Sequence, residues 1–297
     1  MTKAILLPCL FLAILLLQGC NSANTVNSVV QMEQISVQPQ SADTNNSISV
    51  RKKLLADFQK VDFKGISFSY NPQIFGEVKS EEVAEQYLEE ATDKPDFVAP
   101  QHCLFTFDLS TPFSDMYIAV YPINEFPRMY AVNQSSVEEA KKEKENLRRV
   151  LKDKNFRVEN QIPYLPFIDA GQAFQAKVKH YNFQSGKGIL FLTFWETQVE
   201  FPSNRQLRYV FEGITNDGKY YVLAEMPVSV DFLPDDSSEE FEGYKIPWEK
   251  LNDKAEMKRF ARVKENIGIK LENLPENEVQ PNPKYFEEII SSLKIEN

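Results

Sequence analysis

Cysteine, histidine and tryptophan are scarce in this chain of 297 residues, which contains three, two and two of them, respectively. A structural zinc site needs four ligands, drawn mainly from cysteine and histidine. The two histidines, His102 and His180, lie far apart, and Cys103 is the only thiol beside either of them. The motifs CxxC, HExxH, GxSxG and the phosphate loop are also missing. We therefore expect no metal site, no cofactor and no catalytic nucleophile.

The pair His102–Cys103 has a simple structural interpretation. Neighbouring residues of a strand point to opposite faces, so an extended segment there cannot form a cysteine–histidine nucleophile pair. A pairing of Cys103 with His180 would depend on how the fold brings them together. We interpret Cys103 as a buried apolar thiol and both histidines as structural.

Positive charge and long apolar runs are also in short supply. The chain has 33 Lys and Arg against 43 Asp and Glu, a net charge of −10 and a pI of about 5.0. This balance argues against broad binding to nucleic acid. The one long apolar run, residues 4–17, has 14 residues, fewer than the ~20 that a membrane-spanning helix needs.

The N-terminus carries the most specific pattern in the chain. Lys3 precedes the apolar run, which ends in Leu17-Gln18-Gly19-Cys20. This order is typical of a secretory signal, and its last four residues resemble the lipobox of bacterial lipoproteins. The resemblance implies that residues 1–19 are removed, that Cys20 is lipidated, and that the membrane is a partner through this anchor. An uncleaved anchor and an ordinary signal peptide are the alternatives.

The expected location is therefore extracytoplasmic, at the outer membrane or the cell surface. Residues 20–50 are rich in Ser, Asn, Gln and Thr, a composition that favours a flexible tether. Residues 51–297 are long enough for a single globular domain. Within that domain Cys103 is the only cysteine, so no internal disulfide can form.

Apolar periodicity in residues 51–297 predicts both helices and strands. Helices are expected around residues 54–61, after an N-cap at Ser80, after a capping box at Ser135 or Ser136, and from Pro247 and Pro283. The predicted strands are residues 65–70, 104–107, 116–121, 173–183, 188–201, 207–215 and 219–230. Asp217-Gly218 predicts a two-residue hairpin turn between the last two. The expected fold class is α+β, with a largely antiparallel central sheet and flanking helices.

Several short motifs of the domain recur together in a known pattern. They are residues 100–102, 120–126, 165–170, 188–193, 211–222 and 227–228. Together they resemble an uncharacterised extracytoplasmic domain of bacterial secreted proteins and lipoproteins, over roughly residues 63–234. Leu190 departs from that pattern, because a basic residue is common there. The layout is also loosely similar to the PsbP/Mog1-like sandwich, which implies a fold and not a function.

Carboxylates on the predicted strands are the remaining candidates for chemistry. Glu196 and Glu200 are expected on one strand face, and the hairpin register places Glu212 diagonal to Glu225 with Arg208 on the same side. A glycosidase-like pair is one interpretation. A solvated face with a salt bridge is the interpretation we favour.

Two further groups of residues, one acidic and one aromatic, each have a structural and a functional interpretation. Residues 235–242 contain five acids in eight positions, which could bind calcium but lack a loop centred on glycine. We expect an acidic surface loop there. Aromatic residues could line a groove for a glycan, peptide or pigment, although strand alternation favours core packing for most of them. They are Phe191, Trp195, Tyr209, Phe211, Tyr220, Tyr221 and Trp248.

The sequence therefore predicts a lipid-anchored extracytoplasmic protein without enzymatic activity. Its role would be to bind a protein or glycan of the cell envelope, or to assist assembly there. The alternative is a carboxylate-dependent hydrolase that acts on cell-wall or extracellular polymer.

Overall fold

The computed structural model describes residues 58–88, 98–109, 116–153 and 161–296. The predicted signal peptide, Cys20, the tether and the start of the helix predicted at residues 54–61 lie outside this part of the chain. All described residues belong to one compact unit. No helix within them is long and apolar enough to cross a membrane.

An antiparallel sheet of eight strands forms the centre of the fold. Its order is β3-β4-β5-β10-β9-β8-β6, and β7 pairs with the same edge of β8 as β6 does. The strands are β3 (Val78–Val83), β4 (His102–Phe107), β5 (Met116–Pro122), β6 (Gly171–Gln172), β7 (Ala176–Phe183), β8 (Gly186–Glu196), β9 (Leu207–Thr215) and β10 (Tyr220–Pro227).

Three smaller sheets lie outside the central one. In the first, β2 is the middle strand between β1 and β15. The other two are the pairs β11–β14 and β12–β13. The strands are β1 (Gln59–Phe63), β2 (Ile66–Tyr70), β11 (Ser229–Val230), β12 (Glu240–Phe241), β13 (Tyr244–Lys245), β14 (Val279–Gln280) and β15 (Lys294–Ile295).

Five α-helices accompany the sheets in the described residues. They are α1 (Pro72–Phe75), α2 (Phe126–Met129), α3 (Gln134–Lys152), α4 (Lys254–Asn273) and α5 (Pro283–Ser292). Together with the central sheet they confirm the predicted α+β class.

The caps of the long helices differ in part from the prediction. Asn133, and not Ser135 or Ser136, caps α3, because its side chain accepts hydrogen bonds from both serine backbone N–H groups, at 3.1 and 3.3 Å. The helix expected from Pro247 is a short 3₁₀ turn, Trp248–Lys250, and α4 begins only after Asp253, whose carboxylate caps it. Pro283 begins α5 as predicted.

Two of the predicted helical segments are strands. Residues 78–83 pair with β4 along their whole length, from Val78 opposite Phe107 to Val83 opposite His102. The predicted cap at Ser80 is therefore wrong, because strand pairing overrides a local helical pattern. Likewise Val61 lies in β1, which a turn at Lys64-Gly65 folds back onto β2, with both turn residues at positive φ.

Each face of the central sheet packs against its own layer. On one face, apolar residues of the strands meet α4 and α5 through residues such as Phe260, Phe286 and Ile290. On the other face they meet α2, α3 and residues 161–170, which we call the crossing segment. Because both faces are covered, the strand sequences of β8, β9 and β10 read as nearly continuous apolar runs.

A pair of glycines marks the closest packing in the sheet. Gly188 on β8 lies opposite Gly213 on β9. The ring of Phe211 covers both, since a Cβ atom would lie 2.3 Å from the ring at Gly188 and 2.7 Å from it at Gly213. Phe183 packs edge-on against Phe211, with ring centroids 5.8 Å apart. These positions therefore require glycine because an aromatic ring occupies the side-chain space.

Candidate functional site

The sheet face under α3 carries polar side chains in its interior. The β9–β10 register is the predicted one, with Glu212 opposite Leu223 and Glu225 opposite Val210. Both carboxylates are nevertheless buried. The favoured interpretation of a solvated face is therefore wrong, because α3 and the crossing segment cover this side of the sheet.

Glu225 lies at the centre of a hydrogen-bonded cluster. The Tyr164 hydroxyl, from the crossing segment, donates to Glu225 Oε1 at 2.7 Å, and the Tyr117 hydroxyl lies 3.4 Å from that of Tyr164. Burial raises the pKa of the Glu225 carboxyl, while the Tyr164 hydrogen bond and the positive charge of Arg208 oppose that rise. The Trp195 indole N–H is buried and close enough to favour the carboxylate, yet falls short of a hydrogen bond.

Glu212 has a different environment. It is wholly buried, and neither of its carboxyl oxygens has a hydrogen-bond partner among the described residues. The Tyr221 hydroxyl is also buried and lies close enough to moderate the pKa of this carboxyl, yet it makes no hydrogen bond of normal geometry to any described group. Burial raises the pKa of the Glu212 carboxyl well above its usual value. It has no route to a substrate from this position.

A cavity of about 780 Å³ lies between α3 and the crossing segment. We call it the α3 cavity. Three aromatic residues line it, namely Tyr164, Phe167 and Trp195, and the centroids of the Tyr164 and Trp195 rings are 4.5 Å apart. Facing groups on α3 include Asn146 and Glu143. Tyr164 thus connects the cavity wall to the buried Glu225.

Charges around the α3 cavity balance. Glu139 and Glu143 supply two carboxylates, and Lys142 and Arg149 supply two cations. Gln172 is held in place, since its amide bonds both the N–H and the carbonyl of Ile162, at 2.9 and 2.8 Å. The cavity therefore presents aromatic rings, amides and a neutral overall charge, which suits an uncharged polar ligand.

A second, smaller cavity of about 440 Å³ lies on the same sheet face, beyond the crossing segment. We call it the tyrosine cavity, because Tyr117, Tyr121 and Tyr164 all line it. Tyr164 and Ile168 line the α3 cavity as well. The crossing segment is therefore the shared wall between the two.

The structure separates His102 from Cys103 as expected. Cys103 pairs with Val120 and packs towards the α5 face, while the His102 ring lies against Tyr121, with centroids 4.4 Å apart. Burial and the charge of Glu82 raise the pKa of the Cys103 thiol, which is half-buried. This thiol is therefore not activated. His180 bonds the Val150 carbonyl at 3.0 Å, in a structural role.

The other predicted carboxylates do not form a pair. Strand β8 ends at Glu196, so Glu200 does not share its strand face as predicted. Glu196 is held by an ion pair with Lys264, at the edge of a third cavity of about 1130 Å³. Glu200 is buried elsewhere, with one oxygen unpartnered.

The acidic residues 235–242 make separate surface contacts. Asp236 pairs with Arg205, Glu240 with Lys245 at 3.4 Å, and Glu242 with Lys270. Within the described ranges, no three acidic, histidine or cysteine side chains converge as metal ligands would.

Most of the candidate aromatics are core residues. Phe191, Tyr209, Phe211 and Tyr221 are buried, whereas Trp248 is 44% exposed on the surface. Of the seven, only Trp195 lines the α3 cavity. Sequence reasoning missed Tyr164, Phe167 and Asn146, because no local pattern indicates that the crossing segment and α3 enclose a cavity. No family model, curated protein or solved structure matches the chain.

Proposed function

We propose that this chain is a lipid-anchored extracytoplasmic binding protein, and that an uncharged oligosaccharide of the cell envelope is the ligand of the α3 cavity. The observation that carries the proposal is the lining of that cavity. Aromatic rings such as those of Trp195 and Phe167 pack against the apolar faces of sugar rings. Asn146 donates to Glu143 Oε1 at 3.1 Å, which leaves its second amide hydrogen and the other Glu143 oxygen for hydroxyl and acetamido groups. The volume lies within the ~300–1,000 Å³ typical of ligand sites.

Binding is favoured over hydrolysis by where the carboxylates lie. Glu212 and Glu225 do not line the α3 cavity, the tyrosine cavity or the cavity beside Glu196. The two carboxylates at the α3 cavity, Glu139 and Glu143, are four residues apart on one helix and so share one side of it. A glycosidase needs two carboxyl groups that flank the scissile bond.

Tryptophan fluorescence tests the proposed ligand. In the full chain carrying Trp248→Phe, Trp195 is the only tryptophan, so its emission reports on the α3 cavity. We expect triacetylchitotriose to change that emission saturably, because a sugar ring would displace water from the indole. Asn146→Ala and Phe167→Ala should each weaken binding about tenfold, the effect of losing one good contact of roughly 1.4 kcal/mol.

A matched control is Asn273→Ala, the same substitution on the exposed surface of α4. It should bind the trisaccharide as the parent protein does. A Trp195 signal that stays flat up to millimolar trisaccharide, or an equal loss in all three variants, would contradict the proposed ligand.

The anchor is tested separately by labelling. When the full chain is expressed in a bacterium supplied with radioactive palmitate, we expect label in the wild type and in Cys103→Ala. Cys20→Ala should carry no label, because a thiol is the acceptor that the lipobox-like pattern places at residue 20. Label that persists in Cys20→Ala would contradict the proposed lipid anchor, but it would not bear on the proposed ligand site in the α3 cavity.

A further inference from the structure

We propose that the tyrosine cavity is a second binding site, for an uncharged, largely apolar molecule that carries one hydrogen-bond donor, such as a hydroxyl or a secondary amine. The inference rests on the lining of this cavity alone. It does not depend on the oligosaccharide proposed as the ligand of the α3 cavity.

The apolar residues in the walls of the tyrosine cavity come from five parts of the chain, and Tyr117 and Tyr121 of β5 complete the lining. These apolar residues include Val83 on β3, Ala99 before β4, Leu104 on β4, Leu223 on β10, and Pro166 and Ile168 of the crossing segment. This cavity is a partly open cleft, and its volume of about 440 Å³ is within the range of small-molecule sites.

Six of the thirteen residues that line this cavity have polar side chains, namely Gln86, His102, Thr106, Tyr117, Tyr121 and Tyr164. Hydrogen bonds define the roles of two of these groups. The Tyr164 hydroxyl gives its hydrogen to Glu225, so towards any other group it can only accept. His102 Nδ1 lies 2.8 Å from the Pro100 carbonyl, which can only accept, so Nδ1 carries the hydrogen and Nε2 is an acceptor. Burial lowers the pKa of the His102 imidazole, which is therefore neutral at pH 7. The Tyr117 hydroxyl, 3.4 Å from that of Tyr164, already supplies a donor to the Tyr164 oxygen. His102 Nε2 is therefore the acceptor that we assign to a ligand donor.

Charge distinguishes this cavity from its neighbour. None of the thirteen residues that line it is Asp, Glu, Lys or Arg, whereas four charged residues line the α3 cavity. The buried Glu225 lies behind Tyr164, on the same sheet face. A ligand anion would find no cation in the wall, and a ligand cation would find no carboxylate in contact.

Two matched dyes test this preference. N-phenyl-1-naphthylamine is neutral, and anilinonaphthalene-8-sulfonate is the same ring system with an added sulfonate. Both would be titrated by fluorescence into the full chain carrying Cys20→Ala, which removes any acyl chain that could itself take up dye. We expect saturable binding of the neutral dye and at least tenfold weaker binding of the sulfonate.

Substitutions in the two cavities show which of them binds the neutral dye. Leu104→Trp and Thr106→Phe fill the cavity from β4, and each should weaken binding of the neutral dye at least tenfold. Thr106→Val keeps the volume and Asn146→Ala alters only the α3 cavity, so both should bind as the parent does. Circular dichroism and the melting temperature show whether Leu104→Trp and Thr106→Phe are folded. Because two different substitutions fill the cavity, the test remains valid if one of these variants does not fold.

Three results would overturn the inference. They are a failure of the neutral dye to bind the parent protein, equal binding by a folded filled variant and the parent, and equal affinity for the two dyes. A loss of dye binding in Asn146→Ala would also count against it, since the dye would then occupy the α3 cavity.

Discussion

Replacing Glu212 by leucine should stabilise the protein at neutral pH by about 1–3 kcal/mol, the cost of burying a polar group that has no hydrogen-bond partner. Glu212 is wholly buried between strands whose neighbours on this face, such as Leu223 and Ile189, are apolar. Neither carboxyl oxygen has a partner in the described part of the chain. Leucine removes this unpaired polar group at similar volume.

The pH dependence has a definite sign. The carboxyl of Glu212 has a raised pKa in the folded protein, so between its unfolded value of about 4.3 and its folded value the folded state binds more protons. The contribution of Glu212 to the free energy of unfolding is therefore at its maximum below about pH 4. It decreases as the pH rises, by up to roughly 1.4 kcal/mol per pH unit, until the pH exceeds the pKa of the folded state. Glu212→Leu and Glu212→Gln should both lack this component.

Urea denaturation of the three proteins between pH 4 and pH 8 measures the effect. Glu249→Leu, a substitution of the same kind at an exposed site, should leave the slope of stability against pH unchanged. The reasoning fails if Glu212→Leu is less stable than the wild type at pH 7, or if its stability falls with pH as steeply.

Gly188→Ala should destabilise the protein by about 3 kcal/mol, at the upper end of overpacking effects. The new methyl carbon would lie 2.3 Å from the Phe211 ring and 2.4 Å from the Glu212 backbone oxygen. A backbone atom in a central strand cannot move aside, and Phe211 is itself fully buried. The structure therefore cannot relieve this steric strain by a small movement of the backbone or of the Phe211 ring.

Gly268→Ala is the matched control. This glycine lies within α4, and the nearest atom to a new Cβ would be Phe174 Cβ at 3.5 Å, an ordinary contact. Alanine should therefore stabilise the protein by about 0.5–1 kcal/mol through helix propensity. Thermal denaturation of the two variants should give shifts of opposite sign. Shifts of the same sign would show that the glycine pair and the Phe211 ring are not the constraint described here.

The register of the β9–β10 hairpin could be predicted, and the reason is local, although β10 is shorter than predicted and the turn bond joins Gly218 N–H to the Thr215 carbonyl. Asp217-Gly218 fixes the turn, with Gly218 at positive φ, and the turn fixes the register that pairs Glu212 with Leu223. Strand β3 could not be predicted, because Ser80 followed by acidic residues is a helix-start pattern. Only pairing with β4, about twenty residues further along the chain, decides the outcome.

The candidate sites could not be predicted for a related reason. Burial of Glu212 and Glu225 depends on α3 and on the crossing segment, which lie about 40 to 90 residues earlier in the chain. The sequence of β9 and β10 alone allows either a solvated or a covered face. Likewise Asn146 lies on a polar side of α3 that reads as solvent-exposed, and only the fold places Trp195 opposite it.

The pairing of β15 with β2 joins parts of the sequence that lie far apart. Glu296 N–H bonds the Gly65 carbonyl at 2.8 Å, and Ser292 bonds Ser69, more than two hundred residues away. A loop of that length has a large closure entropy, which is lost before the contacts of the pair can repay it. We therefore expect β15 to join the β1–β2 hairpin late in folding, after the central sheet has brought the two ends of this loop close together.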